Sequence, residues 1–174
     1  MTYFKRYAAL AKEQAVVCTD EARKAELEKI ASNCEWVSEN PARDFWEAMQ
    51  LWYGATNLIL IESNGHSVTY GRLDRIMAPY YAEGSIPREF CQELIECSFI
   101  KMDHLRKIRG FGETQIASGI GWGGTALNVG GVGPDGEVVN DISYMVLDAH
   151  AHTRITNPWM GVRLSDEKPE RVLD

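Results

Sequence analysis

The sequence predicts a mostly helical α/β fold, on three observations. Apolar residues recur at helical spacing in three long runs before Gly110. Ten of the 15 glycines fall between Gly110 and Gly136, which breaks the helical pattern there. Short alternating stretches, Thr125 to Val129 and Trp159 to Leu164, then read as strands on either side of one short helix. The chain divides accordingly into a helical part, 1–110, and a glycine-rich part of strands, turns and a short helix, 111–174.

Residues 3 to 17 place Phe4, Tyr7, Leu10, Ala11 and Ala15 on one helical face. Thr19-Asp20-Glu21 is a second start signal, a capping hydroxyl followed by acids at the positive end of a helix. That helix is expected to reach about Asn33 and to bury Leu27, Ile30 and Ala31. The two form either an antiparallel hairpin or one kinked helix. Asn40-Pro41 reads as a cap followed by proline at the first helical position. The helix it opens, to about Ile61, is apolar nearly all round: Phe45, Trp46, Met49 and Trp52 in its first half, Leu58 to Ile61 in its second. Such a helix belongs inside a larger body. Its length is nominally enough for a bilayer, but Arg43, Asp44, Glu47, Gln50 and Asn57 argue against one, and no membrane association is expected. Ser85, Pro87 and Glu89 open a further helix to about Arg109, with Phe90, Leu94, Cys97, Met102, Leu105 and Ile108 as its buried stripe. Arg106, Lys107 and Arg109 before Gly110 suit a helix C-terminus better than a phosphate site.

Gly119-x-Gly121-x-x-Gly124 formally matches a dinucleotide fingerprint, but no apolar strand precedes it and no helix follows, so no nucleotide is expected. Gly133-Pro134-Asp135-Gly136 reads as a turn. Asn140 caps the short helix with Ile142, Tyr144, Met145, Val146 and Leu147. Asp148, His150 and His152 would share a face on a strand. On a helix, residues two apart diverge, and the helical start at Asn140 favours that case, so no metal site is expected. The four cysteines show no C-x-x-C spacing and read as reduced thiols packed in helices. A net charge of −7 argues against nucleic acid as a partner. No signal peptide is apparent.

The most distinctive stretch is Glu62 to Tyr81, ESNGHSVTYGRLDRIMAPYY. Asn64-Gly65 is a strong turn signal, which sets His66 and Ser67 at a tightly held corner, and Gly71 marks a second corner. Taken alone, this is as well a structural turn with a hydrogen-bonded histidine. The stretch resembles the ESNGHS…GR-D…PYY segment of the glycyl radical enzymes related to pyruvate formate-lyase. The resemblance is to the branch of glycerol and diol dehydratases, choline lyase, arylacetate decarboxylases and sulfonate lyases. Cys34-Glu35-Trp36-Val37 with Glu39 to Arg43, Thr125 to Gly136, Asn140 to Ala149 and Asn157 to Leu164 each resemble family segments in the same order.

The resemblance implies a ten-stranded barrel of two half-barrels wrapped by helices, to which this chain contributes helices and the first strands. It implies a glycyl radical, installed by a partner radical-SAM activase, that passes through a cysteine to a small-molecule substrate in a cytoplasmic enzyme of anaerobic metabolism. It further implies a homodimer at full length. Neither the cysteine loop nor the Arg-Val-x-Gly-Tyr glycine is found in this sequence, so the chain is expected to be an internal fragment, binding no cofactor itself and depending on the rest of a parent chain. A degenerate or docking module derived from the family is the alternative. No catalytic residue is assigned. In the dehydratase branch the positions of His66 and Ser67 hydrogen-bond substrate hydroxyls, which implies the same role here. Trp122 and Trp159 depart from the small or aliphatic residues of related segments. The indole of Trp122 is a candidate to wall the cavity and to donate to an anionic substrate.

Overall fold

The computed structural model describes residues 1–63, 68–103, 126–134, 136–155 and 158–164. The chain begins with two helices, α1 (Thr2–Val17) and α2 (Glu21–Val37), separated by an extended Cys18. They form an antiparallel hairpin, tied at its open end by the Met1 amino group on the Ser38 carbonyl and along its length by the Lys5–Glu39 and Lys12–Glu35 ion pairs. Phe4, Ala8, Ala11 and Ala15 are buried; Tyr7 and Leu10, expected inside, are half exposed. The cap of α2 is Asp20, whose carboxylate accepts from the Ala22 and Arg23 amides, and not Thr19. The helix also runs four residues past the expected Asn33, because Cys34 and Val37 are buried against α1.

The long apolar helix, α3 (Phe45–Glu62), starts later than Pro41. Asn40 turns back, its side-chain amide donating to the Trp36 carbonyl at 3.1 Å, and the cap is Asp44, which accepts from the Glu47 amide at 2.8 Å. Glu47, fully buried, reaches back to the Arg43 amide and guanidinium. Arg43 in turn stacks on Trp36, 3.9 Å from the ring centroid. This bracket keeps residues 41–43 out of the helix. Gly54 lets the Phe4 ring lie directly on α3: a Cβ there would meet two ring carbons at 2.5 Å. Ile59 and Ile61 are exposed near the helix's end.

A helix without a counterpart in the sequence reading, α4 (Leu73–Ala82), follows. Pro79 removes a backbone donor inside it, which hides the helical pattern. Burial of Leu73 and Met77 in the core shared with α3, α6 and β1 compensates. Helix α5 (Arg88–Asp103) buries Met102 as expected, but over its first three turns it sets a different row inward: Cys91, Ile95 and Phe99 are buried, whereas Phe90 and Leu94 are half buried and Cys97 is exposed. The expected continuation to Arg109, with Leu105 and Ile108, lies outside the described residues.

Strand β1 (Ala126–Gly130) pairs in parallel with β4 (Trp159–Arg163), Ala126 opposite Trp159. Between them come the two-residue strands β2 (Val132–Gly133) and β3 (Gly136–Glu137), antiparallel across the expected turn, and α6 (Asp141–Thr153). Asn140 caps α6 as expected, in a capping box with Ser143. The helix ends at Arg154, in the left-handed region at φ 50. One core joins α3, α4, α5, α6 and β1, with Leu127, Val129, Phe99, Ile95, Ile142 and Met145 at its centre. The described residues are thus mostly helical, with a small parallel sheet.

Candidate functional site

Residues 68–71 run parallel to β1 as a third strand-like segment. The Tyr70 amide donates to the Ala126 carbonyl at 2.7 Å, the Ala126 amide to the Val68 carbonyl at 3.4 Å, and the Asn128 amide to the Gly71 carbonyl at 3.2 Å. Three parallel segments therefore lie side by side: 68–71, β1 and β4. Val68, Ala126 and Trp159 all stand at the same end of this sheet, where each segment begins.

The two faces of the sheet differ. Leu127 and Val129 point into the helical core and are buried. Their neighbours Ala126 and Asn128 alternate to the other face, beside the exposed Thr69 and Trp159. Gly161, opposite Asn128, leaves room for that side chain: a Cβ at 161 would lie 3.3 Å from the Asn128 Cγ. The open face thus presents a hydroxyl, an amide and an indole. The sequence reading missed Asn128, because an asparagine in an apolar stretch gives no sign of which face it occupies until the register is known.

The far end of the segment is held by Asp74. It is fully buried at the start of α4. Its Oδ2 accepts from the Gly130 amide at 2.7 Å and the Ser143 hydroxyl at 3.0 Å, and its Oδ1 from the Arg75 amide at 2.8 Å. Arg72 lies against the same carboxylate, Nε 3.7 Å from Oδ1, and also donates to the Gly130 carbonyl. The Asn140 side chain donates to the Asp74 carbonyl at 3.2 Å. Two glycines permit these turns, Gly71 at φ 76 and Gly130 at φ 72. One carboxylate so joins the end of segment 68–71, the end of β1 and the start of α6.

His66, Ser67 and Trp122 lie outside the described residues, as do the Asn64-Gly65 turn, the glycine fingerprint and the basic cluster before Gly110. Ser63 and Val68 are the described residues that flank the corner. Of the three residues considered for a metal, His150 packs its ring on Phe99 and His152 pairs with Glu96 at 2.8 Å. That bond holds the Glu96 carboxyl below the ordinary range. Among the described residues no cluster of three metal-ligating side chains occurs. The cysteines are free. Burial pushes the Cys34 thiol up and the Cys91 thiol to about 11, which keeps both protonated and poor nucleophiles at neutral pH.

A second concave feature, a groove of about 510 Å³, lies among α1, α2, α3 and α5. Tyr3, Tyr53, Asn57, Phe90 and Leu94 line it, and no residue of the sheet does. Burial pushes the Tyr3 phenol up to about 12 and raises Tyr53 as well, so neither is a base near neutrality. The groove is a mostly apolar gap between helices, with Glu26, Glu93, Cys97 and Lys101 also in its lining.

The pyruvate formate lyase-like family matches residues 1–174. The chain belongs to that family. It is 41% identical over 172 residues to the (2S)-3-sulfopropanediol dehydratase of Klebsiella oxytoca, covering 96% of this chain and 21% of the relative. It is 35% identical to the isethionate sulfite-lyase of Desulfovibrio desulfuricans, over 97% of this chain and 21% of that enzyme. The solved structure of the glycerol-bound B12-independent glycerol dehydratase from Clostridium butyricum superposes with a TM-score of 0.93 at 40% identity, over 99% of this chain and 22% of the other. The chain therefore spans about a fifth of the length of the relatives it matches. The family is that of the glycyl radical enzymes, in the branch of dehydratases, sulfonate lyases and decarboxylases. No described helix is long and apolar enough to cross a membrane.

Proposed function

We propose that this chain is the part of a glycyl radical lyase or dehydratase that contributes the first strands of a ten-stranded barrel, together with a substrate-binding corner. The substrate is a small, hydroxylated molecule. The observation that carries this reading is the alignment of three parallel segments, with Val68, Ala126 and Trp159 at one end, in a chain 41% identical to a sulfopropanediol dehydratase. His66 and Ser67 directly precede Val68 in sequence. An imidazole and a hydroxyl there offer a donor and an acceptor for a substrate hydroxyl. Trp122, four residues before Ala126, adds an indole N–H suited to a sulfonate or carboxylate.

The cysteine and glycine that carry the radical belong, on this reading, to the rest of the parent chain. A radical-SAM activase and a second copy of the parent are the partners, and the cytoplasm of an anaerobe is the setting. The segment alone performs no turnover. Sequencing the DNA on both sides of the reading frame tests this. Continuation in frame into a cysteine loop and an Arg-Val-x-Gly-Tyr glycine is the expected result. Stop codons closing both ends would exclude catalysis and leave a derived, non-catalytic module.

A further inference from the structure

We infer that Asp74 is a positioning residue for the substrate corner, an inference that rests on the reading just given for His66 and Ser67. Residues 68–71, which follow the corner in sequence, make three backbone bonds to β1 among the described residues. A segment that short can slip or swing unless its far end is fixed. Asp74 fixes it, four residues past Tyr70, by binding the Gly130 amide at the end of the neighbouring strand. The same oxygen accepts from Ser143, so the start of α6 is locked to the same point.

The chemistry of the cluster allows only a carboxylate of this length. Every group facing it is a donor: the Gly130 and Arg75 amides, the Ser143 hydroxyl and the Arg72 guanidinium. A carboxylate accepts on both oxygens, whereas an amide turns one end into a donor. Asparagine would therefore set an N–H against either the Gly130 or the Arg75 amide. A buried donor without an acceptor is destabilising, and the local structure moves to relieve it. The movement available is separation of segment 68–71 from β1, which displaces whatever the segment carries. Asp74 touches no substrate in this arrangement and acts only through the register of the strand.

The test uses Asp74→Asn, Asp74→Glu and the milder Ser143→Ala in the full-length enzyme that carries the segment, with hydrogen exchange, radical content by electron spin resonance, and KM and kcat read on each. The expected result for Asp74→Asn is exchange roughly tenfold faster in 68–74 and 126–130 with the α1–α2 hairpin unchanged, as for a local opening. KM rises about tenfold, a loss of about 1.4 kcal/mol in binding, at normal radical content. Ser143→Ala shifts both readouts in the same direction but less, and Asp74→Glu does not restore them. If Asp74→Asn folds and exchanges faster with KM unchanged, the inference is overturned. If it does not fold, Ser143→Ala decides by the same two readouts. Ser67→Ala separates the two levels: an effect of Ser67→Ala without one of the Asp74 variants defeats the inference alone, whereas no effect of Ser67→Ala defeats the reading of the corner.

Discussion

Two buried carboxylates organise the chain, and they are held differently. Glu47 sits in a bracket with Arg43, which also stacks on Trp36. Burial works to raise its carboxyl, but the guanidinium and amide bonds of Arg43 outweigh burial and hold it below the ordinary range. A depressed folded value means that the stabilisation is present above the unfolded value, about 4.3, and is lost as pH falls through the lower, folded one. Chemical denaturation of the wild type is expected to show stability falling with acid in that window. Glu47→Gln, costing about 2 kcal/mol at neutral pH, should flatten the fall, since a charged hydrogen bond to a half-exposed arginine is lost. Equal acid sensitivity in both proteins would assign the effect elsewhere. The Glu47 bracket is partly legible in sequence, because Asp44 and Glu47 stand three apart before an apolar run. The Asp74 cluster is not, because two of its donors, Gly130 and Ser143, lie 56 and 69 positions away.

Local signals fixed some elements well and others poorly, for reasons that differ. The Asn140 cap was readable because the side chain, the amides it binds and Ser143 are within three residues of one another. Removing it with Asn140→Ala is expected to cost about 1 kcal/mol, because the Ile142 and Ser143 amides lose their shared acceptor. For a chain of this size that lowers Tm by about 2–4 °C in a thermal melt. No change in Tm would mean that the Asp74 cluster holds the helix end without the cap. Helix α5 shows the limit of periodicity: Phe90, Leu94 and Cys97 form one apolar row and Cys91, Ile95 and Phe99 another, and sequence spacing does not say which row meets the core. The first row lines the groove beside α1 and α3 instead. Helix α4 was invisible because proline at its seventh residue contradicts local propensity, and packing on α3, α6 and β1 accounts for it.

At the scale of the whole molecule, the parallel pairing of β1 with β4 could be anticipated as two strands but not as neighbours in a given register. The partners lie 33 residues apart, with α6 between them. That register sets one face of the sheet on the helices and leaves Thr69, Asn128 and Trp159 on the other, at a sheet whose segments all begin at the same end. The apolar helix α3, read as belonging inside a larger body, is covered on one side and leaves Ile59 and Ile61 exposed among the described residues. Both features suit a chain that corresponds to about a fifth of its relatives. On the proposed function, the corner before Val68 recognises a substrate hydroxyl. The most direct measurement is KM for glycerol, propane-1,2-diol and 3-sulfopropanediol in the activated full-length enzyme, wild type against Ser67→Ala. One of the three is expected to be turned over, with a KM raised about tenfold in Ser67→Ala, the scale of one hydrogen bond of about 1.4 kcal/mol, at unchanged radical content. An unchanged KM and kcat in a fully activated variant would contradict it.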